Sequence, residues 1–343
     1  MSLRARRAKA TIRDVAAYAG VGIATVSRAL NDDPDIAAAT RARVLEACEA
    51  LAFRRSSLAR SLKVGATDNV GVAIMSRHAP VILNPFYAEV IGGIEGVLED
   101  AGKHLLLSSL KRRDDLLDLA SEGRVDGLLV VGCDVVPEVL TRLRDVELPV
   151  VLIDNAFEGI PSVVVDHVGA GSQAALHLLD GGGTRFAFVA ENLENPNFRA
   201  RLEGFRRALA GAGIELTPEA IAAGGDSWDG GYAAMSRVLA AIHPPPDAVF
   251  AANDPAALSA AKALNEHGLR VPDQVALVGV DDIHLAAHHA PPLTTVRFDK
   301  RGLGATGARH LLDRLAGRQV PALTTIATEL VERGTSRSDR GTR

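Results

Sequence analysis

The sequence predicts an α/β protein built in two parts: an N-terminal all-α helix-turn-helix domain, then a two-lobed, doubly wound α/β core. Three observations predict this. Short amphipathic segments joined by Gly20-Val21-Gly22 occupy the first 53 residues. Apolar strand-length runs then alternate with helix-length segments over residues 70–334, the pattern of parallel sheets covered on both faces. The charge divides at the same place. The net −4 of the 343 residues conceals a head, residues 1–63, with twelve Lys/Arg against six acids, a net +6, and leaves −10 on the other 280 residues. A small basic head on an acidic body suggests that the head alone meets a polyanion.

The head spans residues 10–53. Thr11-Ile12-Arg13-Asp14 fits a capping box, in which the Thr hydroxyl accepts from the third helical N–H and the acid favours the positive helix end. Ile12, Val15, Ala16 and Ala19 recur at helical spacing on one face. The Gly-Val-Gly turn stops that helix, and a second runs from Ile23 to about Leu30, burying Val26 and Leu30. Asn31 to Asp35 is a loop by composition. A third helix, about Ala38 to Ala52, is expected to bury Val44, Leu45, Cys48 and Leu51. Ala37 precedes it where a capping residue is wanted, and Asp35 is the nearest substitute. Two short helices around a tight turn, buttressed by a third, form a unit whose second helix can enter a DNA major groove. Residues 54–69 read as a basic, helix-capable linker whose helix would be marginal alone in water.

In the body, strands are expected at Val70–Met75, His104–Leu107, Val125–Val131, Val150–Ile153, Phe186–Ala190, Ala248–Ala252 and Val275–Val280. Helices are expected at Phe86–Ala101, Gly169–Leu179, Arg199–Ala212, Gly230–Ala241 and Pro255–His267. Ligands of such sheets bind beyond the carboxyl ends of the strands. Polar residues just after strands are therefore the candidates: Asp154 and Asn155, Asn195, Asn197 and Arg201, Asn253 and Asp254, and Asp281. Asp254 reads equally as a helix cap before Pro255.

Other classes fall away. Two cysteines, Cys48 and Cys133, cannot form a disulfide framework or a Cys-rich metal site. No apolar run approaches 18 residues, and the basic start has no apolar core, so neither a membrane span nor a secretory signal is expected. Cytoplasm is the expected location. Gly181-Gly182-Gly183-Thr184 follows a helix and precedes a strand, the reverse of a phosphate-binding loop. No Gly-x-Ser-x-Gly elbow or His-Glu-x-x-His motif occurs, and His288-His289 lacks further ligands nearby. An enzyme is not expected, and no cofactor or metal is called for.

The stretch Thr11-Ile-Arg-Asp-Val-Ala-Ala-Tyr-Ala-Gly-Val-Gly-Ile-Ala-Thr-Val-Ser-Arg-Ala-Leu-Asn31 resembles the DNA-binding head of the LacI/GalR (lac repressor) family of transcriptional regulators. The resemblance continues through Thr40 to Ala47 and Leu58 to Lys63, then covers nearly all the remaining chain. It implies that Ile23, Ala24 and Arg28 read base edges, while Thr25 and Ser27 bond phosphates. It also places Thr11 and Asn31 on the DNA, with Arg55, Ser57, Ala59, Arg60 and Lys63 of the hinge, and makes Leu62 a wedge into the minor groove. Gly22 stands where the family has a capping Ser, and Arg55-Ser56 where it has Pro-Asn.

For the body, Val249 to Asp254, Leu269 to Asp273, Ala276 to Asp282 and Pro291 to Val296 resemble the family's periplasmic-binding-protein-like (type I) core. The resemblance implies three crossings between lobes, expected near Val165, Thr294 and Ala322. Lobe 1 then comprises about 70–165 and 295–322, lobe 2 about 166–294 and 323–334, and 335–343 a polar tail. It assigns Phe86, Tyr87, Asp154, Asn195, Asn197, Arg201, Trp228, Asn253 and Asp281 to an effector pocket. The segment 109–124 is shorter than the family's, so a helix there should lose a turn or more.

The function implied is a homodimeric, sequence-specific repressor on a near-palindromic operator, its affinity set by a small ligand. A cleft of Asp, Asn and Arg with an aromatic wall suits a neutral sugar. The alternatives are a nucleobase or other small metabolite, or a solute-binding protein that shares the two-lobed body. The last residues carry no heptads, so a tetramerising coiled coil is not expected.

Overall fold

The structure is a computed structural model that describes residues 10–53, 67–75, 84–110, 113–133, 135–225 and 227–337. The chain divides into two compact units between residues 67 and 68.

In the first unit, α1 (Ile12–Ala19), α2 (Ile23–Ala29) and α3 (Ala38–Ala50) bury Val15, Ala16, Ala19, Val26, Ala29, Val44 and Ala47. The capping box forms in full. The Thr11 hydroxyl accepts from the Asp14 N–H, and the Asp14 carboxylate accepts from the Thr11 N–H at 2.7 Å. Gly20 ends α1 at φ 62°, a left-handed conformation that glycine adopts without strain. Two expectations are corrected. Leu45 is exposed and Ala47 is buried in its stead, because the buried stripe of α3 steps by three residues from Val44. Asp35 does not cap α3: Ala37 holds the cap position with no side-chain bond, and the Asp35 N–H instead donates to Asp33 Oδ1 at 3.0 Å.

The second unit holds two six-stranded sheets among its described residues. The first, lobe 1, has the order β11 (Leu323–Ile326), β5 (Ser162–Val165), β4 (Val150–Ile153), β3 (Gly127–Val131), β1 (Asn69–Met75), β2 (His104–Leu110). All its pairings are parallel. The second, lobe 2, has the order β12 (Thr328–Val331), β10 (Thr294–Phe298), β9 (Ala276–Val280), β8 (Ala248–Ala251), β6 (Phe186–Ala190), β7 (Ile221–Ala223). Only the β10–β12 pair is antiparallel. The interior strands are unbroken apolar runs buried on both faces, as helix-covered parallel sheets require.

Helices α4 (Pro85–Asp100) and α12 (Lys300–Leu315) cover one face of lobe 1, and α5 (Arg113–Ser121) and α6 (Pro137–Arg144) the other. In lobe 2, α7 (His167–Asp180) and α8 (Pro196–Gly211) pack together on one face, and α9 (Gly230–Ala241) and α10 (Asp254–Glu266) on the other. The short α11 (His284–His288) follows β9. The segment after Ser109 thus holds a helix of nine residues.

Two lobe boundaries are corrected. The chain passes from β5 into α7, as expected near Val165. It returns only after Phe298, because β10 pairs with β9 in lobe 2, and α12 packs on α4 in lobe 1. The third passage lies between Ile326 and Thr328, because β11 pairs with β5 in lobe 1. The cause is that β10 and β11 carry paired threonines and did not read as apolar strands. The tail begins later than expected too. Thr335 and Ser336 are buried. The Thr335 hydroxyl donates to the Leu277 carbonyl at 2.7 Å and accepts from the Thr294 N–H at 2.8 Å. Ser336 bonds His177 Nε2 at 2.7 Å.

Candidate ligand cleft and DNA-binding head

An open cleft lies at the carboxyl ends of the strands of both lobes. Each lining residue is delivered by a strand end or a helix start. Asn84 caps α4 by accepting from the Phe86 N–H, which sets Phe86 and Tyr87 in the first turn, ring to edge at 5.1 Å. Gly132 and Cys133 follow β3, and Asp154 follows β4 at φ 59°. Asn195 caps α8, whose first turns carry Asn197, Phe198 and Arg201. Asn253 caps α10 after β8, accepting from the Ala256 N–H at 2.8 Å. Asp281 follows β9 at φ 108°. Positive φ at two strand ends is unusual for non-glycine residues and aims both carboxylates at the cleft.

The polar groups bond one another. Arg201, 3% exposed, donates to Asp281 Oδ1 at 3.1 Å, to the Ala252 carbonyl at 2.5 Å and to His167 Nδ1 at 3.3 Å. His167 Nε2 lies 2.9 Å from Asp154 Oδ1, and Asn197 donates to Asp154 Oδ2 at 2.8 Å across the lobes. The Cys133 thiol spans the same gap to Asn195 Oδ1 at 3.3 Å. Burial pushes the Asp281 carboxyl up from its ordinary value, against the pull of Arg201 and Lys300. Burial also pushes Glu191 up to about 7, although Asn253 donates to its Oε1 at 3.0 Å; its Oε2 is buried with no partner among the described residues.

Eight of the nine pocket residues named from the sequence line this one cleft: Phe86, Tyr87, Asp154, Asn195, Asn197, Arg201, Asn253 and Asp281. Trp228 does not. It sits in the turn before α9 with 43% of its surface exposed. Asn155 is not among the lining residues and donates to the Gly132 carbonyl at 3.2 Å. Asp254 is neither cap nor cleft residue. Fully buried, it accepts from the Ile283 N–H and the Thr295 hydroxyl, and burial raises its carboxyl well above the ordinary range.

Sequence reasoning missed His167, Glu191 and Lys300. Glu191 follows β6 directly, so the strand-end rule could have found it. Lys300 follows β10, whose paired threonines give no apolar strand signal. It donates to the carbonyls of Asp281 and Asp282 and lies 3.5 Å from Glu89 Oε1. His167 stands at a lobe crossing and carried no motif.

In the head, α2 buries Val26 and Ala29 and turns Ile23, Ala24 and Arg28 outward; Thr25 and Ser27 flank them half-buried, and Asn31 is exposed. The base-facing candidates thus share the open side of α2. The Thr11 hydroxyl is held by Asp14 at 2.8 Å, so its first role is the cap. Arg55, Ser57, Ala59, Arg60, Leu62 and Lys63 lie outside the described residues.

Residues 11–56 match the family model of bacterial regulatory proteins, lacI family, and residues 175–336 that of a periplasmic binding protein-like domain. The HTH-type transcriptional repressor PurR of Photobacterium profundum is 35% identical over 313 residues, 89% of this chain and 92% of the relative. The chain belongs to the lacI family. Its lacI-family relatives extend to PurR of Mannheimia succiniciproducens, 33% identical over 94% of this chain and 98% of that one. Among solved structures, a lac repressor dimer bound to operator and the anti-inducer ONPF is similar with a TM-score of 0.84, at 28% identity over 95% of this chain and 98% of the other. A complex of the transcriptional regulator CelR with cellobiose gives 0.72 at 32% identity, covering 95% and 99%. The lacI-family chain is thus a DNA-binding transcriptional repressor and not an enzyme. No helix among its described residues is long and apolar enough to cross a membrane.

Proposed function

We propose that this repressor works as a cytoplasmic homodimer on a near-palindromic operator, and that a small, flat, neutral heterocycle of the nucleobase class binds the cleft and sets operator affinity. The observation that carries the ligand class is the placing of aromatic rings on both walls: Phe86 and Tyr87 on α4 of lobe 1, and Phe198 on α8 of lobe 2. Rings on both sides suit a planar ligand, and Arg201, Asp154 and Asn197 offer donors and acceptors for its edge. The curated relatives reported above are named PurR, a name that points to purines and supports the same class.

A neutral sugar, which the sequence favoured, is the second reading. Its support is the mixed donor and acceptor set of Asp, Asn and Arg, and the cellobiose bound to CelR. Both readings share one mechanism. The ligand shifts operator affinity only by its differential affinity for two lobe arrangements, and the hinge, with Leu62 as wedge, passes that difference to the DNA. The test is a mobility shift on the gene's own upstream DNA with guanine, hypoxanthine, adenine, cellobiose and ribose. A response to a nucleobase alone supports the first reading, and a response to a sugar alone replaces it with the second.

A further inference from the structure

His167 opens α7 just after the chain first leaves lobe 1, and only 7% of it is exposed. Its two ring nitrogens face different partners: Asp154 Oδ1 at 2.9 Å from Nε2, and Arg201 Nε at 3.3 Å from Nδ1. An arginine Nε–H can only donate, so Nδ1 is the acceptor and the ring proton stands on Nε2, donated to Asp154. The ring thereby joins a cleft residue of lobe 1 to a cleft residue of lobe 2. From there the chain of bonds continues to Asn197 through Asp154 and to Asp281 through Arg201.

What brings residue 167 level with residue 201 is close packing of α7 on α8. A Cβ on Gly171 would collide with the Arg201 carbonyl oxygen, and one on Gly204 with that of Val168. Only glycine lets the two backbones approach so closely.

We infer that His167 is a positioning residue for ligand selection: its Nε2–H ring holds Asp154 and Arg201 in the orientation in which they meet the ligand. This rests on the cleft being the ligand site, as proposed above. Of the five guanidinium N–H groups of Arg201, the bonds to His167, Ala252 and Asp281 use three, leaving two for the ligand. Beside them stand the remaining lone pairs of Asp154 and Asp281. The opposite tautomer would set an N–H against the Arg201 N–H and a lone pair against Asp154, and both cleft residues would have to turn.

The test uses the full chain labelled with 15N-histidine, in which the His167 signal is the one lost from a His167→Phe variant. Guanine, hypoxanthine, cellobiose and ribose serve as calorimetric probes on the wild type and on His167→Phe, His167→Asn and His167→Gln. The expected results are a ring protonated at Nε2 alone, and a loss in His167→Phe of about ten- to a hundredfold in affinity for whichever probe the wild type binds. Asn, which keeps an acceptor toward Arg201, and Gln, which keeps a donor toward Asp154, should each recover part of that loss. A ring protonated at Nδ1 near neutral pH overturns the proposal, as does a His167→Phe protein that binds the probe as tightly as wild type. If no probe binds the wild type, the ligand class proposed above fails, and the 15N spectrum by itself upholds or overturns the His167 arrangement.

Discussion

Arg201 is the residue on which most of the cleft converges. Removing it would leave the buried Asp281 carboxylate, the Ala252 carbonyl and the His167 Nδ1 without their donor. Breaking a buried ion pair from one side costs about 3–5 kcal/mol. Arg201→Ala should therefore abolish the ligand response while the head still binds operator; an intact response, read by mobility shift, would remove Arg201 from the site. Arg201→Lys is the milder control, since it keeps the charge and loses the planar fork. Glu191 gives a pH prediction. Its carboxyl is ordinary at 4.5 and raised to about 7 by burial, so between those values the folded chain holds a proton that the unfolded chain has released. Stability should fall as pH rises through that window, by up to about 3 kcal/mol from this group, and level off above it. Glu191→Gln should flatten this part of the profile and be the more stable protein at pH 8. Thermal melts of both proteins across pH 5–8 check this, and parallel curves would refute it.

At the scale of elements, the legible parts were those with strong local chemistry. The capping box, the Gly20 stop and the apolar runs of β3, β4 and β6 each mark themselves, and the structure has them where they were expected. The threonine-rich β10 and β11 escaped notice because their stability comes from neighbouring strands rather than from their own hydrophobicity. The two late lobe crossings were misplaced for that reason. The pocket was legible in two ways: the rule that ligands meet strand ends reaches six lining residues, and the family resemblance adds Phe86 and Tyr87; Trp228, placed by resemblance across a loop of different length, fell outside. His167 could not be found this way, since its role depends on the contact between α7 and α8. That contact is testable by itself. Gly204→Ala would force α7 and α8 apart and should cost about 1–3 kcal/mol, with the ligand response weakened in parallel; an unchanged melting temperature would contradict it. For the hinge, Leu62→Ala should weaken operator binding and spare ligand binding, and equal operator affinities would refute the wedge role.

Over the whole molecule, the charge division and the two compact units fall at nearly the same point in the chain. The +6 head is the part suited to phosphates, and the −10 body is repelled by them. Operator affinity should fall steeply and linearly on a log–log plot against salt, whereas affinity for a neutral ligand, which releases no counterions, should barely move. A body that crosses between lobes three times among the described residues couples the cleft to every crossing segment: β5 to α7, β10 to α12, and β11 to β12. His167 and Lys300 sit at two of those passages, and Asp154 and Arg201 are bonded to His167. The central claim is that occupancy of this cleft sets the affinity of the head for DNA. It is tested most directly by fluorescence anisotropy of the full chain on its own upstream DNA at fixed salt, with and without the ligand, in wild type and Arg201→Ala. The account predicts a ligand-dependent change of about fivefold or more in the wild type and none in the variant. Wild-type affinity that ignores the ligand, or a variant that responds as wild type does, would contradict it.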